Sequence, residues 1–172
     1  MVRRLAVQAL NRPALARAIG VALLALGGLA DAHDYRVGAL RIVHPYATPS
    51  LPGLDAAAVY LAVENKGVQG DRLLDATCDV ARDTSLHRMA IEDGVMRMRR
   101  VDGIELPARA TTHLAPGEGH HVMLEGLKAP LKEGDRFVLD LRFLHAGSTR
   151  ISVWVQAREQ GALAVDAHLH QH

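Results

Sequence analysis

Only one cysteine, Cys78, occurs in the 172 residues, so no disulfide can form within the chain and packing has to carry its stability. That thiol reads as a small buried hydrophobe rather than a nucleophile. Aromatic residues make up 3% and are not interleaved with an Arg/Lys stripe, which removes nucleic acid as a partner. Neither a Gly-x-Ser-x-Gly elbow nor a His-Glu-x-x-His motif is present, so serine and zinc hydrolases lack their signatures and no enzyme is expected. The one sustained apolar run, Ile19 to Leu29, falls short of the roughly 20 residues that cross a bilayer as a helix.

That run is the middle of a three-part leader. Arg3, Arg4, Arg12 and Arg17 precede it, and Ala30-Asp31-Ala32 follows as a small-x-small cleavage site, so residues 1–32 are expected to be a signal peptide. The neighbours of Arg3-Arg4 do not complete a twin-arginine signal, and general secretion is the better reading. No cysteine stands at the cleavage point, so a lipoprotein anchor is not expected. Without the leader the chain carries 16 basic and 18 acidic residues, a formal charge of −2, and should be soluble.

The remaining 140 residues suffice for one core, and a single domain is expected over 33–158. Apolar alternation recurs over 36–43, 57–65, 71–78, 84–91, 95–101, 111–114, 121–124, 136–143 and 149–156, with turn residues between. No stretch of ten or more residues shows a clear helical period. The fold class is therefore all-β, a sandwich or Greek-key barrel of about eight or nine strands. Residues 159–172 lose the alternation and are expected to form a flexible, His-rich tail.

Histidine and methionine are what the chain has in unusual measure. All ten His follow the leader, and Met89, Met96, Met98 and Met123 fall within one 35-residue stretch. Asp93-Gly94 between alternating segments predicts a two-residue hairpin in which Met89 faces Met98 and Ile91 faces Met96. Side chains two apart share a strand face, so His87 joins Met89, and His121 joins Met123. Thioether sulfur and neutral imidazole are donors for a soft ion such as Cu(I), not for Mg or Ca. Core filling is the plain alternative for a methionine stripe. His113 and His145 read as ordinary histidines.

These residues carry a family likeness. His87, Met98 and the His121-x-Met123 pair leading into Gly126-Leu127, together with His44-Pro45-Tyr46, Glu64-Asn65-Lys66-Gly67 and Glu92-Asp93-Gly94-Val95-Met96, resemble the PCuAC-type periplasmic copper chaperones. The resemblance implies a cupredoxin-like β-sandwich and a Cu(I) site made by His87, Met98, His121 and Met123. It also implies a periplasmic location and delivery to the CuA centre of a terminal cytochrome oxidase or to its assembly factors. The spacing from Met98 to His121 is one residue longer than the family's usual one. His120 restores the count but loses the His-x-Met pair, and an extra residue in the Pro116 to Gly119 turn favours His121. A blue-copper site would need a Cys beside a His and Met in one loop, and a dinuclear copper centre would need two cysteines; neither arrangement occurs. Met89 and Met96 stand as auxiliary candidates. His168, His170 and His172 alternate near the C-terminus, and His33 would become N-terminal after cleavage, so Cu(II) is a further expectation there. A monomer is expected. Copper storage or resistance, and a β-sandwich with a Met-rich core and no metal, are the other readings.

Overall fold

The computed structural model describes residues 34–117 and 119–169, without the side chains of Asp166 and His168. The strands are β1 (Tyr35–Val37), β2 (Leu40–Ala47), β3 (Ala56–Asn65), β4 (Asp71–Cys78), β5 (Ala81–Glu92), β6 (Val95–Arg100), β7 (Ile104–Leu106), β8 (Ala110–Leu114), β9 (Gly119–Leu127), β10 (Arg136–Phe143) and β11 (Ser148–Val155), and one helix, α1 (Arg158–Leu169), follows them. They form one mixed, 11-stranded sheet in the order β6-β5-β9-β8-β3-β2-β11-β10-β4-β7, with β1 on β2 and a second pairing of β9 with β3. Most pairs are antiparallel; β11 with β2 and β8 with β9 are parallel. The all-β class holds, with two more strands than expected. Gly38 (φ 55) turns the first expected strand into a β1–β2 hairpin, and β7 is too short for alternation to announce it.

Strand alternation explains the core. Leu61, Leu73, Val122, Leu124, Leu139, Leu141, Ile151 and Val153 are wholly or almost wholly buried and belong to one cluster to which most strands contribute. Each such side chain contributes roughly 1.5–3 kcal/mol by leaving water. Cys78 packs at the edge of this cluster, and burial pushes its thiol above the ordinary value, so it stays protonated at neutral pH.

A second, smaller cluster lies on another face of the sheet: Val43, Tyr46, Tyr60, Ala62 and Val165. A bulge between Val43 and Tyr46, where His44 has φ 43, puts both on that face although they are three apart. Helix α1 covers them, and this corrects the expected flexible tail, at least to Leu169. Among the described side chains of the helix, Gly161, Val165 and Leu169 form the stripe that seats it, while Leu163 stays exposed; so sparse a pattern gives no visible helical period. A Cβ on Gly161 would lie 2.2 Å from the Tyr46 ring, so only glycine allows this approach. Among the described residues no helix is long and apolar enough to cross a membrane.

Candidate metal centre

Local turn chemistry builds the first half of the site. Asp93 (φ 54) and Gly94 (φ 74) both adopt the left-handed conformation, the two-residue hairpin turn whose twist matches the strands it joins. The expected register results: Glu92 pairs with Val95, Ile91 with Met96, Met89 with Met98 and His87 with Arg100. The second half comes from the other edge of β5, which pairs with β9 so that His87 faces His121, Ser85 faces Met123 and Met89 faces Gly119. Because opposed residues share a face, Ser85, His87, Met89, Met96, Met98, His121 and Met123 all project from one side of three adjacent strands.

Distances narrow the set. Nε2 of His121 lies 3.2 Å from Sδ of Met98, and the His87 and His121 rings stand 5.7 Å apart between centroids. Met123 is half-buried, two residues from His121, flanked by the small side chains of Ser85 and Ala58. His87 is half-buried and its Nδ1 atom is buried without a hydrogen-bond partner. The Tyr60 ring packs against His121 at 6.2 Å and backs it from β3. Burial is graded across the donors, from 3% exposed at His121 to 45% at Met98.

His120 does not join them. It pairs with Arg88, and alternation turns it to the side of Val122 and Leu124, away from His121. Met89 faces Met98 on the site side, and Met96 lies 56% exposed toward the turn. His33, His170 and His172 lie outside the described residues, as does the side chain of His168. Ser85, Glu125 and Tyr60 were missed as site residues in the sequence. For the first two a signal was available, since each stands two residues from an identified donor on its own strand.

Electrostatics favour neutral donors. Burial, then the neighbouring His87 and His120, pushes the His121 pKa down to about 4. His87 is also lowered, by burial first and Arg100 second, against an opposing pull from Glu125. Both imidazoles are therefore uncharged at neutral pH, as metal ligation requires. Among the described residues no three His, Cys, Asp or Glu side chains gather as a cage for a metal ion. The available set is two imidazoles with thioethers, suited to Cu(I).

The His121 shift has a consequence for stability. The folded-state value lies below the unfolded one of about 6.5, so the unfolded chain takes up the proton first as pH falls. Stability from this group is complete above about 6.5 and is lost progressively toward pH 4, by up to about 3 kcal/mol. Urea unfolding of the metal-free chain at several pH values in that window checks this, and His121→Gln is expected to flatten the decline. An equally steep decline in the variant would assign the effect to another group.

A sequence profile described as LpqE-like, "Putative lipoprotein LpqE-like", matches residues 39–155. The chain belongs to the LpqE-like family. Among curated relatives, "Putative lipoprotein Lxx21020" of Leifsonia xyli subsp. xyli is 35% identical over 105 residues, 60% of this LpqE-like chain and 63% of the relative's own length. Among solved structures, the copper-bound PCuAC domain of PmoF2 is 30% identical, with a TM-score of 0.63, covering 73% of this LpqE-like chain and 98% of that domain. The Cu(I)-bound form of DR1885 from Deinococcus radiodurans is 28% identical, with a TM-score of 0.56, covering 74% and 83% respectively. The fold of this LpqE-like chain is thus the PCuAC-type cupredoxin-like one, as the resemblance implied.

Proposed function

We propose that the chain takes up one Cu(I) ion between His87, Met98, His121 and Met123 and hands it to an acceptor protein. The observation that carries this reading is the approach of His121 Nε2 to Met98 Sδ at 3.2 Å, beside the ring of His87. Likeness to copper-bound PCuAC domains supports a copper-chaperone role. The exposure of Met96 and Met98, 56% and 45%, argues against methionines that merely fill a core.

Copper here is cargo, and the gradient of burial gives a route for its exchange. Met98, half in solvent, is the donor that an incoming ligand displaces first, while buried His121 holds the ion until the acceptor has engaged it. Thioethers carry no proton and the imidazoles are already neutral, so exchange at pH 7 needs no proton release from the site. Such an exposed leaving donor favours a carrier over a storage protein, which shares the ligands but not the need to release.

The finer parts of the reading rest on the leader, on the lipoprotein names of the relatives and on the PCuAC resemblance. They are export to the periplasm, a monomeric state, delivery to the CuA centre of a terminal oxidase or its assembly factors, and Cu(II) capture by His33, His168, His170 and His172. The test is titration of the leader-free chain with Cu(I) against bicinchoninic acid, anaerobically. One tightly held Cu(I) per chain is expected; no competition with the chelator would end the proposal.

A further inference from the structure

Two polar side chains beside the donors have no part in the core. Ser85, 5% exposed, stands two residues before His87 on β5, and Glu125 stands two residues after Met123 on β9. The Ser85 hydroxyl donates to Glu125 Oε2 at 3.2 Å and lies 2.8 Å from Nε2 of His87. A hydroxyl has a single hydrogen, and with that hydrogen on the carboxylate it can only accept from the imidazole. Nε2 of His87 then carries the ring hydrogen and Nδ1 is left with the lone pair.

That assignment meets an independent observation. Nδ1 of His87 is buried and has no hydrogen-bond partner, although a buried polar atom without one costs about 1–3 kcal/mol. Resting on the Cu(I) reading above, we propose that Ser85 and Glu125 are positioning residues that fix the Nε2–H tautomer of His87 and so present Nδ1 to the ion. His121 differs, because its Nε2 is the nitrogen turned to the Met98 sulfur. The two imidazoles then bind through different nitrogens. The relay from His87 through a hydroxyl to a carboxylate is the outer-shell support that ligating histidines commonly have, and its loss typically costs 10–100-fold in metal affinity.

The experiment uses the leader-free chain with 15N-labelled histidine. In the metal-free wild type, long-range 1H–15N correlation at about pH 8, above the ordinary histidine range, is expected to find His87 as the Nε2–H tautomer. On adding Cu(I), its Nδ1 resonance should move while Nε2 keeps its hydrogen. Ser85→Ala is expected to mix the tautomers and weaken Cu(I) about 10–100-fold in chelator competition, with Ser85→Thr restoring both. Glu125→Ala, further from the core, should mix the tautomers in the same direction. Binding through His87 Nε2, or wild-type tautomer and affinity in Ser85→Ala, overturns this inference alone. Failure of the wild type to take up Cu(I) overturns the copper reading and this inference together.

Discussion

Replacing Met98 and Met123 together by isoleucine is expected to weaken Cu(I) binding by more than about 100-fold, because losing ligands must cost more than losing an outer-shell partner. Both positions are in strands, where a β-branched side chain is well accommodated, so the fold should persist. Met98 is 45% exposed, and its loss removes little packing. Met123 sits between Ser85 and Ala58, and isoleucine fills a similar volume there. The control is Met96→Ile, two residues along the same face and 56% exposed, whose affinity should stay at the wild-type level if proximity to His121 is what selects a ligand. Competition with bicinchoninic acid reads all three, with circular dichroism as the check on folding. Wild-type affinity in the double variant would mean that thioethers do not hold the ion.

How much of this site was legible follows from which contacts are local. Asp93-Gly94 set the β5–β6 register, and so the facing of Met89 and Met98 is written in two adjacent residues. The choice between His120 and His121 is different. It depends on how β9 aligns with β5 across some thirty residues of intervening chain, and it is the pairing of His87 with His121 that puts His121, and not His120, on the face of His87 and Met98. The Tyr60 wall behind His121 depends on β3 pairing with β9, again a non-local contact. Helix α1 was hidden for another reason: it docks by three residues spaced four apart, one of them a glycine, and its remaining surface carries no stripe. Ser85 and Glu125 were readable by the same two-residue periodicity that links His87 to Met89 and His121 to Met123.

Arg41→Ala should destabilise the metal-free chain by about 3–5 kcal/mol, since it breaks a buried ion network by removing one member. Arg41 is 2% exposed at the start of β2; its Nη1 donates to Glu64 Oε2 and its Nε to Asp34 Oδ2, each at 2.8 Å. Glu64 faces it directly across the β2–β3 pair, and Lys66, 3.5 Å from Glu64, lies too exposed to replace the lost charge. Burial, the largest single influence, would raise the Glu64 pKa, but the hydrogen bond and charge of Arg41, with a smaller part from Lys66, together outweigh it and hold the carboxyl below the usual range. In the wild type this contribution is present above the unfolded value of about 4.3 and is lost as pH falls through the folded one. In Arg41→Ala only burial and the weaker Lys66 remain, so acidification no longer costs the variant what it costs the wild type. The gap between the two unfolding free energies from urea denaturation should therefore be widest near pH 7 and narrow below about pH 4. A gap under about 1 kcal/mol at pH 7, the range of an exposed pair, would show that the network adds no more than surface charges do. A gap that does not change with pH would place the loss in packing of the arginine stem rather than in its charge.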